Sequence, residues 1–222
     1  MARKYLLVET DGKVYLEERD GRLDLPLTTS ALPFKVQTRP GFKVDGAEVV
    51  YAKPLLDRHP EEWLDKDSIP SMDEATPRAR AAVLATMHRL VTNAIIVEQG
   101  RVMLVKANRG IAAGWWNVPG GFVEWDEAPL DCLKRELREE LGIVVDQAEL
   151  LTVETHKFEK SPYHMMAFVY LVRGQASQLR LDHTELDEAA WFTFENAVEM
   201  TRNPFAKKGI ELAVKRLAAG KP

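Results

Sequence analysis

The chain predicts an α/β fold: a mixed β-sheet sandwiched by helices, preceded by a small β-rich N-terminal module. Three observations carry this. Apolar runs of strand length recur from Lys4 to Phe194. Two segments, 127–141 and 204–219, instead carry apolar residues at helical spacing. Residues 1–90 also differ in character from 91–222, being rich in turn signals and poor in helical pattern.

The elements follow in order. KYLLVET and KVYLEER flank Asp11-Gly12, a strong hairpin signal. A Pro- and Thr-rich stretch from Pro26 to Pro40 reads as irregular, and AEVVYAKPLL as another strand. Residues 57–77 are charged and hold Pro60, Pro70 and Pro77, so they read as a loop or linker with one helical turn. Pro77 suits the first turn of a helix running to about Leu90. This divides the chain into 1–90, a β-rich accessory module plus connecting helix, and 91–222, the main domain.

From Val91 the pattern sharpens. TNAIIVEQ, Gly100 and RVMLVKAN predict a hairpin of two apolar strands. WWNVPGGFVE reads as a strand interrupted by Pro119-Gly120-Gly121. A helix is expected from about Glu127 to Leu141, with Asp126 as N-cap, Pro129 in its first turn and Gly142 as a left-handed C-terminal cap. Leu130, Leu133, Leu137 and Leu141 form its apolar stripe. IVVDQAELLTVETHKF and YHMMAFVYLVRG read as long strands. DEAAWFTF is a short strand, ENAVEM opens a helix, and PFAKKGIELAVKRLAA is an amphipathic C-terminal helix.

Composition narrows the function classes. The 222 residues carry a formal net charge of −4 and are 45% hydrophobic, an ordinary globular balance with no overall basic footprint for nucleic acid. The single cysteine, Cys132, excludes an internal disulfide framework and a multi-cysteine zinc ribbon. No apolar run reaches the roughly 18 residues of a membrane span. The N-terminal apolar stretch meets Glu9 and Asp11 too early for a signal peptide, so a cytoplasmic protein is expected. Apolar strands in 1–90 need a partner surface, which makes a homodimer one expectation.

The chemistry concentrates in GFVEWDEAPLDCLKRELREELGI, residues 121–143. Glu136, Glu139 and Glu140 stand at i, i+3 and i+4 and project from one helix face. Like charges at that spacing repel, so an isolated helix gains nothing from them. A hard divalent ion with oxygen ligands, Mg²⁺ or Mn²⁺, accounts for the cluster; a solvated surface helix is the alternative. Gly120 and Gly121 allow close backbone approach just before the helix. Glu127 and Arg135 fall on one side, so Arg135 can bridge Glu127 and Glu139 and fix the carboxylates.

The pattern G-x5-E-x7-R-E-U-x-E-E-x-G-U, with U aliphatic, is met by Gly121, Glu127, Arg135, Glu136, Leu137, Glu139, Glu140, Gly142 and Ile143. It resembles the signature of the Nudix hydrolases without departure. Seven fixed letters at roughly 1 in 15 each give chance odds on the order of 1 in 10⁸ per starting position. The resemblance implies a Nudix-type α/β/α sandwich over about 91–219; residues 1–90 match nothing in it.

It also implies hydrolysis of a pyrophosphate linkage in a nucleoside diphosphate joined to another group, by water attack on phosphorus with Mg²⁺ or Mn²⁺. By position, Glu136, Glu139 and Glu140 would hold the metal, with a carbonyl of Gly120 or Gly121. Arg135, Glu127 and Gly121 would support them. The general base would be a signature glutamate or a later loop carboxylate, Glu185 first and Glu188 second. Trp115 or Trp116, Arg109, Lys106 and the loop bearing His156, Lys157, Lys160, Tyr163 and His164 are the substrate-side candidates. ADP-ribose, NADH and nucleotide sugars are the favoured substrates. A nucleoside triphosphate or nucleic-acid 5′ end is the alternative, and a silent nucleotide sensor is the alternative of another class.

Overall fold

The computed structural model describes residues 3–110, 112–159, 161, 163–174 and 179–220. The chain forms two compact units, 1–87 and 88–222. Among the described residues no helix is long and apolar enough to cross a membrane.

The first unit is built on antiparallel hairpins. β1 (Lys4–Thr10) and β2 (Lys13–Tyr15) join through Asp11-Gly12, both at positive φ, the backbone a two-residue hairpin turn demands. Asp20-Gly21 and Asp45-Gly46 turn the same way. They link β3 (Glu17–Arg19) to β4 (Arg22–Asp24), and β5 (Lys35–Val44) to β6 (Ala47–Leu55). With β7 (Leu64–Asp65) the main sheet runs β5-β6-β1-β2-β7. Two expectations change here. KVYLEER is not one strand: it breaks after Tyr15, and Glu17–Arg19 folds into the second hairpin instead. The Pro/Thr-rich stretch is not all irregular. Its second half enters β5, and the ladder shifts register between Arg39 and Phe42, which lets Pro40 sit in a strand.

A helix, α1 (Pro77–Ala85), closes this unit over Leu7, Val14, Leu25 and Ile69. Thr76 caps it by accepting a hydrogen bond from the Ala79 amide. The helix ends at Ala85 and not near Leu90. His88 onwards is drawn into the parallel ladder of the second unit's sheet.

In the second unit, β8 (His88–Glu98) and β9 (Arg101–Ala107) form the expected hairpin. β8 also pairs in parallel with β12 (His164–Gly174), which pairs antiparallel with β11 (Val145–His156). β9 carries β10 (Trp116–Asn117) and β13 (Leu186–Thr193). The sheet is thus mixed. Residues 91–96 of β8 are all buried, as a central strand covered on both faces must be.

The two covers are distinct. α2 (Pro129–Leu141) packs Leu133, Leu137 and Leu141 against Ala94, Ile96 and Val172. α4 (Pro204–Ala218) packs Phe205, Ala206 and Ile210 against Ile95 and Val169 on the opposite face. α3 (Phe194–Met200) leads into it. The result is the expected α/β/α sandwich. Leu130 is the exception in the predicted stripe, being 37% exposed, because it stands in the first turn beyond the sheet contact.

Candidate active site

The site is assembled by the turn before α2 and the helix itself. Pro129 opens the helix, and Gly142 closes it at φ 69, donating its amide to the Arg138 carbonyl at 3.0 Å. The expected N-cap does not form. Asp126 takes φ 61, a left-handed turn residue, and Ala128 occupies the cap position without a side-chain bond. Glu127 therefore precedes the helix instead of beginning it. Its carboxylate folds back onto the Glu124 amide at 2.9 Å.

From there Glu127 meets Arg135 with both oxygens, at 2.8 and 2.9 Å, a bidentate charge-assisted pair. The same guanidinium donates to Glu136 at 2.8 Å, Glu139 at 3.1 Å and the Phe122 carbonyl at 3.2 Å. Arg135 and the Glu124 amide together hold the Glu127 carboxyl down at about 2. The bridging role expected of Arg135 is present in this geometry, and it extends to Glu136.

Gly121 explains itself sterically. A Cβ there would collide with the Glu136 carboxylate, so a larger residue must move that side chain out of its place. Its carbonyl is spent on the Thr92 amide of β8 at 2.8 Å, while the Gly120 amide donates to Glu140 at 3.2 Å. Glu140 is 7% exposed. Burial, and then the neighbouring Glu136 charge, push its carboxyl up to about 8. Burial also raises Glu136, against the pull of Arg135. Two crowded, desolvated carboxylates beside a third on one helix face are a donor set that a hard cation relieves. Among the described residues no three acidic, His or Cys groups are already gathered at metal-holding distance, since Arg135 engages Glu136 and Glu139. The residue types fit a divalent ion; Arg135 sets the starting arrangement.

Gly120, Gly121, Arg135, Glu136, Glu139 and Glu140 line a cleft of about 670 Å³. Glu185 lines it too, paired with Arg109, and the Glu185 carbonyl accepts from the Asn108 amide at 2.9 Å. Glu188 lies on β13, bonded to Lys106 at 3.1 Å. The same cleft is also lined by apolar side chains: Phe158, Met165, Val118 and Phe205, with Trp115.

Of the substrate-side expectations, Arg109 and Trp115 are in the lining, whereas Trp116, Lys106, His156, Lys157, Tyr163 and His164 are not among the described lining residues. Trp116 belongs to β10 and packs edge-on against Phe192 at 5.1 Å, so its neighbour Trp115 takes the cleft-side position. His156 is exposed behind Phe158, ring centroids 4.8 Å apart. The Tyr163 backbone bonds the Ser161 hydroxyl, its amide donating at 3.2 Å and its carbonyl accepting at 3.0 Å. Lys160 lies outside the described residues.

Sequence reading missed Phe158, Asn117 and Asn203. Asn203 caps α4 through the Phe205 amide at 2.9 Å and donates to Asn117 at 3.0 Å. The Asn-Pro start of that helix was the available signal for the cap. Nothing local marks Phe158, whose cleft position depends on β11 and α4 meeting.

Residues 87–213 match the family model described as NUDIX domain. The chain belongs to the Nudix family. It is 38% identical over 84 residues to the NAD-capped RNA hydrolase NudC of Vibrio vulnificus, covering 38% of this chain and 31% of that protein. It is 36% identical over 108 residues to the 8-oxo-dGTP diphosphatase of Proteus vulgaris, covering 49% of this chain and 86% of that one. The crystal structure of a MutT Nudix hydrolase from Burkholderia pseudomallei superposes with a TM-score of 0.50 at 31% identity, over 57% of this chain and 98% of that one. The Nudix match thus falls on the second unit and spans under a third of the NudC protein's length. Nudix hydrolases generally use divalent cations.

Proposed function

We propose that this chain hydrolyses a pyrophosphate bond in a nucleoside diphosphate linked to a second group, by water attack on phosphorus. The observation that supports it most is the Arg135-ordered carboxylate set in a cleft that aromatic side chains also line. That combination suits a molecule with a multiply charged middle and a flat, apolar group.

Glu136, Glu139 and Glu140, with the Gly120 carbonyl, would hold Mg²⁺ or Mn²⁺. Bound there, the ion would neutralise phosphate charge and acidify water. The chain's own groups do the rest. Glu185 takes a proton from the attacking water. The water oxygen forms the new P–O bond as the bridging P–O bond breaks, and the leaving phosphate carries away the electron pair. Arg109, on the rim beside Glu185, meets phosphate oxygens. Arg135 and Glu127 hold the carboxylates in position.

ADP-ribose, NADH and nucleotide sugars remain the favoured class. The 8-oxo-dGTP diphosphatase, matched over most of its length, supports a nucleoside triphosphate as the second reading. Hydrolysis in ¹⁸O-labelled water tests the reaction itself. The proposal expects label in a phosphate-bearing product; label confined to the non-phosphate product would mean C–O cleavage and sink it. Replacing Glu185 by Gln is expected to lower kcat by about 10²-fold or more. An unchanged kcat removes Glu185 from the mechanism.

A further inference from the structure

The cleft is short of free cations for a substrate that carries several negative charges. Its described lining holds five glutamates against two arginines, Arg109 and Arg135. Both arginines are already engaged, Arg109 by Glu185 and Arg135 by Glu127, Glu136 and Glu139. A third guanidinium stands beside them. Arg89 is an exposed residue of β8, and its guanidinium carbon lies 3.8 Å from the centroid of the Phe122 ring. The sheet fixes the face it shares. Val91 is bridged to Phe122 on one edge of β8, and Arg89 is paired with Met165 on the other. Paired residues share a sheet face, as do residues two apart in a strand. Arg89 is therefore on the face of Val91, Phe122 and Met165, and those three line the cleft.

We infer that Arg89 is a substrate-binding residue that donates to a phosphate oxygen of the bound pyrophosphate. This rests on the hydrolase reading above. The contact Arg89 already makes leaves its donors available. At 3.8 Å the guanidinium lies flat on the ring, since an edge-on approach would press a nitrogen into it. Stacking uses the face of the group, while its five N–H donors point outward in its plane. Among the described residues those donors bond no carboxylate. Phosphate oxygens match such an edge in pairs. The pyrophosphate belongs close by. Phe122 follows Gly121, where an added Cβ would strike the Glu136 carboxylate, and the Phe122 carbonyl accepts from Arg135 at 3.2 Å. The residue that carries Arg89 thus adjoins the carboxylate set. Arg109 must loosen its bond to Glu185 to meet phosphate, whereas exposed Arg89 gives up only water.

The experiment compares wild-type protein with Arg89→Gln and Arg89→Lys. Calorimetry in Mg²⁺ measures binding of ADP and of inorganic pyrophosphate. Thermal melts, and steady-state rates on the substrate that wild type cleaves fastest, accompany it. Arg89→Gln keeps a planar group for the Phe122 ring and removes the charge and the fork. It is expected to weaken both probes about tenfold and to raise KM by a similar factor. Its kcat is expected to stay within about twofold, because the contact is made in substrate and transition state alike. Its melting temperature is expected to match wild type. Arg89→Lys keeps the charge without the fork and is expected to fall between. Weakening of ADP alone would move the contact to the nucleoside and overturn the assignment. A fall in kcat at unchanged KM would overturn it too, and losses that track a lower melting temperature in both variants would make Arg89 structural. If wild type cleaves pyrophosphate and Arg89→Gln behaves as wild type, this inference alone fails. If Arg89→Gln weakens both probes and wild type cleaves nothing, the phosphate contact stands and the hydrolase reading fails. If wild type binds neither probe, both fail.

Discussion

A guanidinium carries five N–H donors in a rigid plane, and Arg135 spends its fork on Glu127, Glu136, Glu139 and one carbonyl. Lysine offers a single point charge and cannot reproduce that geometry. Arg135→Lys is therefore expected to lower stability by about 2 kcal/mol and kcat by about tenfold or more, read by denaturant melts and steady-state rates. A variant with wild-type stability and rate would show the fork to be incidental. The Arg135 role was legible from spacing because helical geometry fixes which residues are neighbours. The position of Glu127 was legible only in outcome. It reaches Arg135 as expected, but from a left-handed turn at Asp126 and not from the helix.

At the scale of elements, α2 is the piece that the sequence specifies most completely. Its apolar stripe, its Pro129 start and its Gly142 stop agree with one another. Gly142 sits at φ 69, and an added Cβ would also press on Arg180 at 3.2 Å. Gly142→Ala is expected to cost about 1 kcal/mol in a melt, with little change in the chemistry. Gly121→Ala is expected to do the reverse. It drives the Glu136 carboxylate from its place, so metal-dependent turnover should fall far more than the melting temperature. Equal losses in both properties would contradict the steric account. The β-elements were less legible where the chain makes several short hairpins. The register shift that lets Pro40 into β5 is a tertiary choice that overrides local propensity.

At the scale of the molecule, every residue assigned to the site lies in the second unit, and the first unit is held by its own network. Asp24 is its centre, 3% exposed and bonded by Arg78 at 2.5 Å, Thr76 at 2.7 Å and the Leu25 amide at 2.9 Å. Burial works against its ionisation, and these bonds outweigh burial, holding its carboxyl below the usual range. A depressed folded-state value stabilises the fold above the unfolded value of about 4 and is lost as pH falls through the folded one. Acid titration should therefore destabilise wild type below about pH 4. Asp24→Asn should start less stable at neutral pH and lose less on acidification. Parallel acid profiles for the two would contradict the network's role. The first unit's architecture was only partly readable in advance, because its strands are short and its helix ends where another ladder begins.

The central claim, a metal-dependent pyrophosphate hydrolase organised by Glu136, Glu139 and Glu140, is tested most directly by one assay. Wild type and Glu139→Gln are incubated with ADP-ribose, NADH, nucleotide sugars, dinucleoside polyphosphates and dNTPs, in Mg²⁺, in Mn²⁺ and in EDTA. The account predicts turnover of at least one class by wild type with metal, none in EDTA, and a large loss in Glu139→Gln. Nucleotides that bind wild type but are cleaved with neither metal, or turnover that survives EDTA, would contradict it.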